Sequence, residues 1–293
     1  MLIDVDGKQA YAYTGGKRFD ASLPVVVFIH GAQHDHSVWI LQSRYLAHHG
    51  HAVLAVDLPG HGRSAGPALA SVEAMADWTL ALLAAVNAKR ATIVGHSMGS
   101  LIALEAAARS SSRDADGVAG AAASAVATIA ACASAITPTI ARIALLATAY
   151  PMQVSDALLA ATRDDEPRAI EMISLWSSDT AHGGYSHKPS APAPGFGIVW
   201  GGRRLMQRQD KGVLHNDFAA CNAYRNGEVA ARAVRCPALF ILGANDAMTA
   251  ARSGKAFAAT IDNASVVVIP DSGHLVMAEA PDATLAALRN FLA

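Results

Sequence analysis

Short apolar runs rich in β-branched residues recur along the chain, separated by amphipathic stretches. Six of them are almost wholly apolar: Pro24–His30, Ala52–Asp57, Ala91–Gly95, Ile143–Thr148, Pro237–Gly243 and Ser265–Pro270. Such runs predict strands covered on both faces, as in a parallel sheet. Between them, the helical period and end signals predict helices over Ser37–His49, Val72–Asn87, Met98–Ala108, Thr249–Thr260 and Asp282–Leu292. Leu2–Val5 and Gln9–Tyr13 flank Gly7-Lys8 and predict an antiparallel hairpin at the sheet edge. The alternation of strand and helix predicts an α/β fold: a doubly wound, mostly parallel sheet with helices on both faces.

The alternation stops between about Pro151 and Arg235. Short helix signals remain there: Ser155-Asp156 before ALLAAT, Glu166-Pro167 before RAIEMISLW, and Asn216/Asp217 before FAACNAYRN with Gly227 after. The Gly/Pro/Ser-rich residues 178–197 predict no regular structure. The expected organisation is a core of residues 1–150 and 236–293, with 151–235 inserted as a helical lid over the strand ends. A second interruption, Gly117–Ala141, is uncharged and made mostly of Ala, Ser, Thr, Val and Ile. It is long enough to span a bilayer. Its weak apolarity, the break at Pro138 and the sheet strands on either side predict an Ala-rich helical insertion at about 110–140 instead.

Composition narrows the function classes. The 293 residues are 52% hydrophobic and 16% charged, with a net charge of −1. That allows a sizeable core without a disulfide or metal staple. It gives no basic footprint for nucleic acid or an anionic membrane, and neither partner is expected. Cys132, Cys221 and Cys236 are too scattered for a disulfide framework and suggest a reducing compartment. MLIDVDGKQA lacks a basic region followed by an apolar run, so no signal peptide is expected, and a cytoplasmic location is.

Gly95-His96-Ser97-Met98-Gly99 fits the G-x-S-x-G turn between a strand and a helix. The serine there must occupy a strained backbone region, and glycines two residues to either side remove side chains that would block so tight a turn. Gly62-Arg63-Ser64-Ala65-Gly66 matches the same pattern. Only Ser97, however, directly follows an apolar strand and opens a helix. Three further motifs accompany it: His30-Gly31-Ala32 with Trp39 beyond, Asp57-Leu58-Pro59-Gly60-His61-Gly62-Arg63-Ser64, and Gly243-Ala244-Asn245-Asp246 with Gly273-His274.

From His30 onward, these motifs in this order resemble the α/β-hydrolase family, apart from residues 110–140 and the lid. The resemblance implies Ser97 as nucleophile, His274 as base and Asp246 as acid. A serine hydroxyl needs a neutral imidazole to take its proton, and a carboxylate to fix that imidazole's tautomer. Of the twelve histidines, His274 alone combines a Gly-His step, a preceding strand and a following terminal helix. Asp156 is the stand-in for the acid, because some family members carry it after the preceding strand. Asp271 is too near His274 in sequence. The implied oxyanion donors are the main-chain N–H groups of Met98 and Ala32. Gln33 could assist through its side chain or take a rim or structural role, and His30 reads as a loop-holding residue.

Other chemistry finds less support. His48-His49-Gly50-His51 and His34/His36 resemble metal ligands by residue type only, no cysteine pair has zinc spacing, and no dinucleotide or nucleotide loop occurs. No metal or cofactor is expected. Met152, Met172, Ile173, Leu175, Trp176, Phe196, Ile198, Trp200 and Met206 could line an apolar acyl or aryl pocket or form the lid's own small core. Gln33, Met152, Trp176 and Leu275 are the substrate-binding candidates. Arg203, Arg204, Arg208 and Lys211 could hold an anionic substrate group, and otherwise read as a solvated charged face, the leading reading. The expected function is hydrolysis of a carboxylic ester of a small to medium apolar substrate through an acyl-enzyme. Alternatives on the same residues are C–C bond, lactone and thioester cleavage, with a non-catalytic ligand sensor as the remote one. His96, where C–C hydrolases of the family commonly carry Asn, weakens the first. The oligomeric state is not legible.

Overall fold

The structure, a computed structural model, describes residues 1–120, 138–177 and 198–293. Among them eight strands form one sheet: β1 (Leu2–Val5), β2 (Lys8–Tyr13), β3 (Val25–Ile29), β4 (Ala52–Val56), β5 (Arg90–His96), β6 (Thr139–Leu146), β7 (Ala238–Gly243) and β8 (Ala264–Ile269). Their order is β1-β2-β4-β3-β5-β6-β7-β8. β1 and β2 form the expected edge hairpin and β2 runs antiparallel to β4; all other pairs are parallel.

Strand parity sorts the core into two layers. Val25, Val27 and Ile29 face a layer built with α2 (Val72–Ala85) and α3 (Met98–Gly120). Val26 and Phe28 face the other, with Trp39, α1 (Ile40–His48) and the C-terminal helices. Period-two alternation under helices on both faces makes every position of β3, β4 and β7 buried, which explains their uniformly apolar sequence. The chain leaves β3 toward β4 on one side and β5 on the other. The carboxyl ends of β3 and β5 therefore flank a topological switch point, where a crevice opens.

Between β6 and β7 come α4 (Asp156–Asp164), α5 (Glu166–Trp176), α6 (Ile198–Gln207), α7 (Val213–Ala223) and α8 (Gly227–Ala233). Leu158, Ala169, Ile170, Ile173, Met206, Leu214 and Phe218 form a small core for this insert. From Ala220 on, its residues join the larger core beside α3. The remaining helices are α9 (Ala251–Ala258), α10 (Val276–Glu279) and α11 (Pro281–Leu292).

Several boundaries differ from expectation. α3 continues beyond Ala108 to Gly120, and β6 starts at Thr139 rather than Ile143. Ser110 joins the two changes: its buried hydroxyl donates to Pro138 O at 3.1 Å and accepts from the Ile140 N–H at 3.2 Å. α7 starts at Val213, so Asn216 and Asp217 lie within it and do not cap it. Gly227 opens α8, where any Cβ would run into the Tyr150 ring. Much of the Ala-rich segment and all of residues 178–197 lie outside the described residues. No helix among the described residues is long and apolar enough to cross a membrane.

Candidate active site

β5 ends at His96 and α3 begins at Met98, so Ser97 alone makes the turn. Its φ is 52°, a left-handed conformation that costs a non-glycine residue about 1–2 kcal/mol. The flanking glycines are sterically required. A Cβ on Gly99 would stand 2.5 Å from Ile29 O and 2.7 Å from His30 O, and one on Gly95 would collide with the Gly99 carbonyl. The Ser97 N–H donates to Leu146 O at 2.9 Å, tying the turn to β6. Ser64, in the competing motif, instead braces a loop: its hydroxyl donates to Asp57 O at 2.6 Å and accepts from the Tyr11 N–H at 2.8 Å. Gly95→Ala is expected to destabilise the fold by about 3 kcal/mol, as overpacking against rigid backbone does. A lowered urea midpoint at unchanged m would show it, and an unchanged midpoint would refute it.

The loops after β7 and β8 bring Asp246 and His274 together, with Oδ2 2.9 Å from Nδ1. Asp246 also accepts from Thr249 Oγ1 at 2.6 Å and from the N–H groups of Met248 and Thr249, each at 2.8 Å. Four donors around it make the carboxylate an acceptor. By that network Nδ1 of His274 is the donor toward Asp246. Burial opposes the charge on Asp246. His274 and the hydrogen bonds from His274 and Thr249 outweigh it and hold the carboxyl below the usual carboxylate range.

The His274 main chain is fixed on every side. Its N–H donates to Ser177 O at 3.0 Å and its carbonyl accepts from His96 Nε2 at 2.9 Å. The N–H groups of Gly273 and Leu275 donate to the Glu279 carboxylate at 2.9 and 3.0 Å. Burial, the first cause, with the neighbouring rings of His274 and His34 acting in the same direction, pushes His96 well below the ordinary histidine range, so it is a neutral strut. Asp156 lies exposed in the first turn of α4. Ser97 and His274 line one cavity, and no hydrogen bond joins them in this structure. Such bonds are often long before substrate binds.

Two compartments meet at Ala32, Ser97, Phe218, Met248 and His274. The smaller, about 30 Å³, carries the polar groups His34, Ser174, Ser177 and Arg203 and has room for about one water. The larger, about 190 Å³, is walled by Met152, Val154, Leu158, Trp176, Phe218 and Cys221. Met152 and Trp176 thus line the larger compartment and Leu275 the smaller. Gln33 lines neither. It is fully buried, and its Nε2 donates to Met206 O at 2.9 Å, which makes it a tie between loop and insert. The N–H groups of Ala32 and Met98 make no hydrogen bond among the described residues. Ile173 and Met206 serve both in the insert's core and in the smaller compartment's wall. Phe196 lies outside the described residues.

Sequence reasoning missed Phe218, His34, Met248 and Thr249. The last two were legible, since an Asp accepting from N–H groups two and three residues on is a local turn pattern. Phe218 and His34 reach the cavity only through tertiary packing. Arg208 is paired with Asp35 at 2.7 Å. Among the described residues, Asp35, His36 and Asp57 are the ligand-type side chains that stand together. Their acceptors already hold loop donors: Asp57 accepts from the His36 N–H and Nδ1, each at 2.7 Å, and from the Arg63 N–H at 2.9 Å.

A sequence profile of the alpha/beta hydrolase family matches residues 26–288. The solved enol-lactonase of Burkholderia xenovorans LB400 superposes with TM-score 0.77 over 100% of this chain and 99% of that one, at 22% identity. A thermophilic esterase from Thermogutta terrifontis gives 0.75 over 100% and 97%, at 21% identity. The (E)-2-((N-methylformamido)methylene)succinate hydrolase of Acinetobacter baylyi is 37% identical over 78 residues, 26% of this chain and 29% of that protein. An acetyltransferase component from Cupriavidus necator is 36% identical over 110 residues, 36% of this chain and 28% of that protein. Both curated relatives are therefore matched over less than a third of their length. With the family profile spanning most of the chain and the fold matched from end to end, this protein belongs to the alpha/beta hydrolase family.

Proposed function

We propose that the protein is a serine hydrolase that cleaves carboxylic esters through an acyl-enzyme. The observation that carries this reading is the buried His274–Asp246 pair beside Ser97, which is held at φ 52°. His274 Nε2 takes the Ser97 proton as Oγ attacks the acyl carbon, and Asp246 steadies the imidazolium through Nδ1. The oxyanion is received by the free N–H groups of Ala32 and Met98, the latter at the positive end of α3. The imidazolium then protonates the leaving alcohol, and a water activated by the same base releases the acid. α4–α7 act as the lid that walls the site. The larger compartment takes the apolar part of the substrate. At about 190 Å³ it slightly exceeds the roughly 150 Å³ cavity that accommodates benzene.

The test is turnover of p-nitrophenyl esters of graded chain length, together with fluorophosphonate labelling and mass mapping of the labelled peptide. Turnover with the label on Ser97 is expected, and preference should fall off beyond medium chains. Label on Ser97 without ester turnover would move the reading to lactones or thioesters. A folded protein that shows neither would sink it in favour of ligand sensing.

A further inference from the structure

The proposed oxyanion donor Ala32 lies in a turn that no helix or strand holds. The turn is closed by the His34 N–H donating to Gly31 O at 3.2 Å, and Gln33 within it has φ 52°. A left-handed glutamine is strained and persists only where its surroundings over-determine it. The constraint here comes from the insert. The Gln33 N–H donates to Asp217 Oδ2 at 2.8 Å, and its Nε2 donates to Met206 O at 2.9 Å and to Glu166 Oε1 at 3.3 Å.

Asp217 Oδ2 also faces His61 Nε2 at 2.8 Å, and both side chains are fully buried. Nδ1 of the same ring lies 3.1 Å from Pro59 O. Both neighbours are acceptors. A neutral ring would turn a lone pair toward one of them, so the geometry calls for an imidazolium. Burial works against that charge, but Asp217, the Pro59 carbonyl and Asp57 outweigh it and raise the His61 pKa. His30, whose ring centroid is 4.9 Å away, is the complement. Burial first, and then the His61 charge, lower it to about 4. It is neutral, donating from Nδ1 to Gly31 O at 2.8 Å and accepting from the Leu58 N–H at 3.1 Å. The titratable groups facing His61 are thus Asp217 from α7, His30 after β3 and Asp57 after β4. Those acting around Asp217 are His61, His30, His34 and Cys221.

We propose that Asp217, fixed by the His61 imidazolium, is a positioning residue: it holds Gln33 and thereby aims the Ala32 N–H at the developing oxyanion. This rests on the serine-hydrolase reading. It places the control of one oxyanion donor in the insert, on a carboxylate that lines neither compartment. A misplacement of about 1 Å in such a constellation costs on the order of 10²-fold in rate. Loss of the His61 proton leaves a buried carboxylate without its counter-charge, which buried pairs tolerate poorly. Activity should therefore fall on the alkaline side as His61 deprotonates, although neither residue touches substrate.

The experiment compares wild type, Asp217→Asn and His61→Gln on p-nitrophenyl butyrate across neutral and alkaline pH, with fold checked by circular dichroism. The variants are expected to lose kcat by roughly 10–100-fold, with KM within about threefold, and to lose the alkaline limb. Variants that fold and keep wild-type kcat with the limb intact overturn the proposal. An inert wild type that a fluorophosphonate does not label takes down the serine-hydrolase reading, and this proposal with it. If the variants do not fold, the ring ¹⁵N shifts of assigned His61 in wild type decide. Two protonated nitrogens at neutral pH, titrating together with the alkaline limb, support the proposal; a neutral ring throughout overturns it.

Discussion

Replacing Ser97 by alanine is expected to lower kcat on p-nitrophenyl esters by about 10⁴-fold or more, leaving only what the oxyanion donors and binding supply. Alanine is smaller than serine and Ser97 is only partly buried, so the fold survives and the loss reads the chemistry. Asp246→Asn should cost about as much for a different reason, as the corresponding exchange does in a serine protease. The amide can turn an N–H₂ toward Nδ1 and favour the tautomer whose Nε2 can no longer accept a proton. The N–H groups of Met248 and Thr249 still hold the loop, which separates this loss from misfolding. Asp156→Asn should leave kcat near wild type. Near-normal turnover by Asp246→Asn, or a collapse with Asp156→Asn, would assign the acid differently.

The second large effect is on stability in mild acid. His30, His34 and His96 are buried and their pKa values lie below the ordinary histidine value, burial being the first cause for each. A histidine whose folded pKa is depressed stabilises the fold fully above its unfolded pKa of about 6.5 and loses that contribution as pH falls toward the folded value. For His30 the folded value is about 4. By linkage, that one residue withdraws about 3 kcal/mol between pH 7.5 and pH 4. His61 has the opposite sign: its raised pKa gives stability that is complete below about 6.5 and lost as pH rises through the folded value. Asp246, depressed, adds a loss only at still lower pH. Urea midpoints should therefore peak near pH 6–7 and drop steeply toward pH 4.5. A flat stability profile over that range would rule out neutral buried histidines at these positions.

Ser97 was legible from the strand-to-helix turn around it, and Asp246 and His274 through the resemblance of their motifs to the α/β-hydrolase family. Gly95 is required within the turn itself, by the Gly99 carbonyl, whereas Gly99 is required by the Ile29 and His30 carbonyls at the end of β3; the loops that carry Asp246 and His274 follow apolar strands. β3, β4 and β7 were legible for a different reason, since burial on both faces leaves no polar positions, whereas β8, expected to be covered on both faces, lies at the sheet edge with Ser265, Val266 and Val267 exposed. β6 was read too short because Thr139 and Arg142, at its N-terminal end, are polar and only half-buried. α7 was misplaced because Asp217 looks like a helix cap, and only its pairing with His61 and the Gln33 N–H makes it an interior residue.

The sequence by itself determined the α/β sheet, the strained turn at Ser97 and the residue types of the candidate site, since backbone sterics and strand periodicity act within a few residues. Tertiary structure alone decided that Gln33 is a tie to the insert rather than a wall of the cavity. It also decided that Phe218 and His34 line that cavity, and that burial holds His30, His34 and His96 below the ordinary histidine range while Asp217 holds His61 above it. Those outcomes depend on which groups from distant segments share a space that water has left, and on the few partners there for each buried charge.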